Sequence, residues 1–120
     1  MLQALSRLFR KEASPEPRWI EVAELRRRLE TPPPPVPPLV VDVRGRDEFD
    51  GPLGHIDGAW NIPFPDLRAH QGEIIGAHRP VVFVCLTDKR SSAAAALMVK
   101  VGLSDSAVLR GGMTAWSKAE

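Results

Sequence analysis

The chain has 120 residues, 43% apolar and 26% charged, with a formal net charge of +1. This describes one soluble, globular domain, long enough to bury a core without staples. The charge gives no bulk attraction to nucleic acid, no apolar run approaches the roughly 18 residues of a membrane span, and a single cysteine excludes an internal disulfide or a multi-thiolate zinc site.

The opening stretch, MLQALSRLFRKE, sets Leu2, Leu5, Leu8 and Phe9 among Arg7, Arg10 and Lys11. It is too short and too interrupted for a secretory signal, so the expected compartment is the cytoplasm. Residues 1–17 read as an N-terminal extension. A short amphipathic helix for a membrane surface or a partner is one reading. A frayed or locally docked turn is the simpler one. The domain proper is expected at 18–120.

Trp19 and Ile20 predict a short strand. EVAELRRRLE predicts a helix with Val22, Leu25 and Leu29 on one side, its arginines forming a solvated face. TPPPPVPP can neither continue a helix nor join a sheet interior. The tract at 32–38 is read as a stiff, extended connector.

LVVDV at 39–43 has the continuous apolar character of a buried parallel strand. A loop follows, with a turn of helix near Asp47 and Phe49. Ala59, Trp60 and Ile62 suggest another short strand, and DLRAHQGEIIGA a short helical piece. PVVFVC predicts a second buried strand. SSAAAALMVKVG predicts a helix closed by Gly102. SAVLRGG and MTAWSKAE supply a last strand and helix. Alternating strands and helices give an α/β fold with a mostly parallel sheet.

In such sheets ligands bind beyond the carboxyl ends of the strands. Cys85 is expected to end a central strand there. Leu86, Thr87, Asp88, Lys89 and Arg90 would form the loop into a helix beginning near Ser91. Amides at a helix start lack partners inside the helix and carry partial positive charge, which favours a thiolate. Lys89 and Arg90 add positive charge, and Asp88 opposes it. Arg44 is expected beside the same crevice, either as a donor contact or in a surface ion pair with Asp47 or Glu48. His55 is read as structural, Asp42 as an acceptor for loop N–H groups, Trp116 as packing and Gly111–Gly112 as a tight turn. His70 and His78 have no cluster around them, so no metal or cofactor is expected.

These residues resemble the rhodanese family of sulfurtransferases. The resemblance rests on D-V-R at 42–44, E-F at 48–49, G-H-I-x-G-A at 54–59, N-I-P at 61–63, the cysteine loop with R-S, and L-x-G-G-x-x-A-W ending at Trp116. It implies one rhodanese domain with a five-stranded parallel sheet flanked by helices. It also implies Cys85 as a sulfur carrier working through a persulfide. Leu86, Thr87, Asp88, Lys89, Arg90, Ser91 and Arg44 would hold a small anionic sulfur donor such as thiosulfate, and a small-molecule or protein thiol, or cyanide, would accept the sulfur. The family's loop often reads C-x-x-G-x-R, and here Asp88 stands in the glycine's place. Two other classes stay open. A cysteine-dependent phosphatase would have five residues between cysteine and arginine, whereas four separate Cys85 from Arg90. A non-catalytic interaction domain would have no need of the cysteine loop.

Overall fold

The computed structural model describes residues 17–119. The expectations for 1–16 lie outside the described residues. Five strands form one all-parallel sheet: β1 (Trp19–Ile20), β2 (Leu39–Asp42), β3 (Trp60–Asn61), β4 (Val81–Val84) and β5 (Ser106–Leu109). Their order is β1-β5-β4-β2-β3, so β4 is central. The helices are α1 (Val22–Glu30), α2 (Arg46–Phe49), α3 (Gln71–Gly76), α4 (Lys89–Lys100) and α5 (Gly112–Lys118). Two 3₁₀ turns, Phe64–Asp66 and Arg68–His70, precede α3. The α/β class and the five-stranded parallel sheet follow the expectation.

Alternate side chains of the strands feed opposite layers. Leu39, Val41, Val43, Val81, Phe83 and Cys85 pack with Leu67, Ile74, Ala94, Ala95 and Met98 on the α3–α4 side. Val40, Val82, Val84, Ile20 and Leu109 pack with Leu25 and Met113 on the α1–α5 side. Both faces of the sheet are therefore covered. This is why β2 and β4 read as unbroken apolar runs and not as alternating ones.

The helix α4 lies close to the sheet because its inward positions include Ala94 and Ala95. Its end is a Schellman turn. Gly102 has φ +104°, its N–H donates to Val99 O at 3.1 Å, and Leu103 N–H donates to Met98 O at 3.0 Å. Leu103 and Met98 then share the core beneath it. Gly102 thus does what the sequence suggests.

The proline tract departs from the straight connector expected of it. Residues 33–35 are bends, because the chain must pass from the end of α1 to the start of β2. Arg79 fixes the return by donating from Nε to Pro37 O and from Nη2 to Pro38 O, each at 3.0 Å. Leu39 N–H then donates to Pro80 O at 2.7 Å and sets the register of β2 beside β4. Among the described residues no helix is long and apolar enough to cross a membrane.

Candidate active site

In an all-parallel sheet every carboxyl end lies on one edge. β4 ends at Val84, one residue earlier than the sequence suggests, and Cys85 follows at once. The helix also begins earlier than expected, at Lys89 and not near Ser91, with Asp88 as its N-cap. The loop proper is therefore only Leu86, Thr87 and Asp88. Lys89, Arg90 and Ser91 are the first three residues of α4.

That shift places the third helical amide on the sulfur. Ser91 N–H donates to Cys85 Sγ at 3.3 Å, and Ser91 Oγ lies 3.2 Å from Sγ. One amide that no helical carbonyl can reach thus points at the thiol. Cys85 is only 1% exposed and Ser91 is fully buried. The cysteine, expected at a crevice, is thus also packed against the core. The exposed residues next to it in the chain are Leu86 and Thr87.

The loop is held from behind by α5. Met113 N–H donates to Cys85 O at 2.9 Å, and Thr114 N–H donates to Leu86 O at 3.0 Å. In a trans peptide the carbonyl and the following N–H point in opposite directions. With their carbonyls turned to α5, the N–H groups of Leu86 and Thr87 turn away from it. The helix α5 packs on the sheet face opposite to the Cys85 side chain. Those N–H groups therefore turn to the side of the sulfur.

Gly112 makes this seat possible. It has φ +56°, and a methyl group there would lie within 2.7 Å of the carbonyl oxygens of Cys85, Leu86 and Thr87. The doubled glycine was read as a tight turn, but its second member is also a contact surface for the cysteine loop.

Two ion pairs lie on the same edge. Arg90 reaches across to α2: its Nη1 donates to Glu48 Oε1 at 2.7 Å and its Nη2 to Oε2 at 3.1 Å. Glu48 also accepts Gly45 N–H at 3.1 Å. The bond from Arg90 is the main reason that the Glu48 carboxyl falls from 4.5 to about 2, partial burial opposing it. The same bond raises the Arg90 guanidinium above its ordinary range, aided by the nearby Cys85.

Arg44 has another place than the one expected. It is 1% exposed. Its Nε and Nη2 donate to Asp42 at 2.8–3.2 Å, and Nη2 also donates to Gly54 O at 2.7 Å. Its partner is neither Asp47 nor Glu48, and the side chain is spent on anchoring the 44–54 loop. Asp42 accepts Arg44 N–H at 3.0 Å, as expected of a loop anchor. His55 is structural as read: Nδ1 meets Phe49 O at 2.9 Å and the ring stacks on Phe49 at 3.6 Å. Asp88 is half-buried with φ −151°, so its backbone needs nothing from glycine, and its side chain makes no cap bond. Among the described residues neither Asp88 nor Lys89 enters a salt bridge.

Comparison with known proteins bears on this arrangement. The sequence profile of the rhodanese-like domain matches residues 21–119. The chain belongs to the rhodanese-like domain family. It is 39% identical to protein YqhL of Bacillus subtilis over 77 residues, 64% of this chain and 59% of that protein. It is 36% identical to thiosulfate sulfurtransferase GlpE of Shewanella oneidensis over 80 residues, 67% of this chain and 76% of that one. The probable adenylyltransferase/sulfurtransferase MoeZ of Mycobacterium tuberculosis is 39% identical over 80 residues, which span 66% of this chain but only 20% of MoeZ. Among solved structures, the rhodanese-like domain of Alr3790 from Anabaena superposes with a TM-score of 0.72 at 28% identity, covering 88% of this chain and 76% of that one.

Glu48 and Gly112 are the neighbours of the cysteine loop whose contacts the sequence did not reveal. The E-F motif carried Glu48 as a point of resemblance, and the partner considered for it was Arg44, whereas its partner is Arg90. Two glycines between a strand and a helix were the available signal for a close backbone approach.

The seat of the loop can be weighed by comparing two glycines. Gly102→Ala meets only the cost of a positive φ, for nothing lies within 4 Å of its added methyl. Gly112→Ala adds overpacking against three carbonyls. It is expected to destabilise by about 1–3 kcal/mol more than Gly102→Ala in urea unfolding. The two arginines allow a similar comparison. Arg44→Ala leaves Asp42 buried without its partner and is expected to cost about 3–5 kcal/mol. Arg46→Ala breaks the exposed pair with Asp50 and should cost no more than about 1 kcal/mol. The Glu48–Arg90 pair predicts a pH dependence. A depressed carboxyl contributes stability that is full above about 4.5 and is lost as pH falls towards 2. Wild type should therefore exceed Glu48→Gln by about 1 kcal/mol at pH 6, a partly exposed pair being screened. That margin should shrink as pH falls below about 4.5 and be mostly gone near pH 2 in chemical denaturation.

Proposed function

We propose that this rhodanese-like domain is a sulfurtransferase that carries sulfane sulfur on Cys85. The observation that carries the reading is the paired hold on one sulfur atom: Ser91 N–H and Oγ on Sγ, beneath a loop whose peptide N–H groups turn to the sulfur's side. The names of GlpE and MoeZ support it.

The chemistry follows in two steps. The Cys85 thiolate attacks the outer sulfur of a donor, the donor's S–S bond breaks, and the bonding pair leaves on the departing group. The outer sulfur remains on Cys85 as a persulfide, an anion that the loop N–H groups and the α4 terminus hold by charge-assisted hydrogen bonds. A thiophilic acceptor, a thiolate or cyanide, then attacks that outer sulfur and restores the Cys85 thiolate. Covalent transfer in two halves gives ping-pong kinetics.

In this reading Leu86, Thr87 and Asp88 give backbone to the cradle, and Ser91 holds the sulfur at its base. Lys89 and Arg90 stand at its mouth, Arg90 held there by Glu48. Arg44 stands behind, fixing the neighbouring loop.

The test is the intact mass of the protein after incubation with a sulfane sulfur donor. Wild type should gain one sulfur atom and lose it to cyanide. Cys85→Ser should gain none, with transfer lowered about 10³-fold or more. A serine hydroxyl at that position can meet Ser91 Oγ, so the variant should stay folded with a loss below about 2 kcal/mol. Full transfer by Cys85→Ser would overturn the reading.

A further inference from the structure

The charges around Cys85 cancel in pairs. The Asp42 carboxylate spends Arg44, and both are buried. The Glu48 carboxylate spends Arg90 through a bidentate contact with both terminal nitrogens. Of the loop's own charges, Asp88 is half-buried and Lys89 exposed, so the carboxylate is the less screened of the two. The cysteine loop therefore presents a nearly neutral mouth, although its sequence carries a lysine and an arginine.

That balance decides between donors. Thiosulfate brings two negative charges to a thiolate that already has one, and the products, a persulfide anion and sulfite, carry the same three. A hydropersulfide, R–S–SH, carries at most one negative charge on its sulfurs, and the protonated form that reacts is uncharged at its reacting end. The Cys85 thiolate attacks the terminal sulfur, the bond between that sulfur and the inner one breaks, and the pair leaves on RS⁻. The proton stays on the transferred sulfur and is then lost to water as the persulfide ionises. One negative charge enters and one leaves, and no oxidant or reductant is needed.

We infer that Glu48 is a specificity-determining residue: by holding Arg90 it turns the site away from dianionic donors and towards a hydropersulfide. The inference rests on the sulfurtransferase reading above. Glu48 has the geometry for this role because its carboxylate is itself fixed, accepting Gly45 N–H at the start of α2 while it engages Arg90. Glutamine at this position keeps one oxygen for Gly45 N–H and Arg90 Nη1, and loses both the charge and the acceptor that Arg90 Nη2 uses.

The experiment compares thiosulfate with cysteine hydropersulfide as donors to wild type, Glu48→Gln, Asp88→Asn and Asp50→Asn. It follows persulfide formation on Cys85 by rapid-quench mass measurement. Asp50 pairs with the exposed Arg46 and controls for bulk charge. Wild type should react faster with the hydropersulfide at equal concentration. Glu48→Gln should raise kcat/KM for thiosulfate about tenfold, mainly through KM and more at low salt, and leave the hydropersulfide within about twofold. Asp88→Asn should move the donor ratio in the same direction, and Asp50→Asn should not move it. A donor ratio unchanged in both site variants, a parallel loss with both donors, or an equal shift in Asp50→Asn would overturn the inference. Wild type that takes sulfur from neither donor would overturn the sulfurtransferase reading itself.

Discussion

Three carbonyl oxygens, those of Cys85, Leu86 and Thr87, converge on the first turn of α5, and the chemistry of the site depends on that convergence. A short loop after a strand has no reason of its own to turn its amides one way. Here the direction is imposed from outside, because α5 offers N–H groups at Met113 and Thr114 that no helical carbonyl reaches, and Cys85 O and Leu86 O accept from them. The arrangement needs β4 and β5 as neighbours, so that the ends of both strands meet. It also needs a residue without a side chain at the point of contact, which is Gly112. A seven-residue helix at the far end of the chain thus orients the peptides around a cysteine almost thirty positions earlier.

Two ion pairs support the same edge by different physics. Asp42 and Arg44 are both buried, so each is indispensable to the other while the pair adds little net stability. Its value lies in position: it joins the end of β2 to Gly54 O, and Asn61 Nδ2 reaches Asp42 O and Arg44 O from β3. Glu48 and Arg90 are more than a third exposed on average, and their contact is bidentate. That pair ties α2 to α4 across the mouth. It sets the local charge as much as it holds the structure.

The sheet was legible in the sequence because buried parallel strands leave a strong mark. LVVDV and PVVFVC could hardly be anything else in a chain of this size, and both strands end within one residue of expectation. The helix after the cysteine was legible in its apolar body but not at its start. Lys89 and Arg90 resemble loop residues, and Asp88 caps through its position alone, without the side-chain bond that marks most helix starts. Arg44 was misplaced for a related reason. Its partner is two residues away in a strand whose apolar neighbours suggested that Asp42 would serve backbone only. The Glu48–Arg90 contact spans 42 residues of sequence, and no local pattern announces it. Composition and periodicity speak to burial, whereas the pairing of charges across an edge is settled by topology.

Asp88 shows how a departure in sequence can change its meaning in three dimensions. As a replacement for glycine it suggests a conformational cost. Its φ of −151° removes that concern, and what remains is a carboxylate at the N-cap of a twelve-residue helix. A negative charge there gains about 0.3–1 kcal/mol from the helix terminus. The sulfur of Cys85 draws on the same terminus through Ser91 N–H. Two anions that share one positive field each diminish what the other gains. Asp88 therefore stabilises the helix while it weakens the hold on any anion added at the sulfur. On the proposed sulfurtransferase reading, a persulfide formed from an uncharged donor would meet that competition only once, after transfer, with the loop N–H groups in place to receive it.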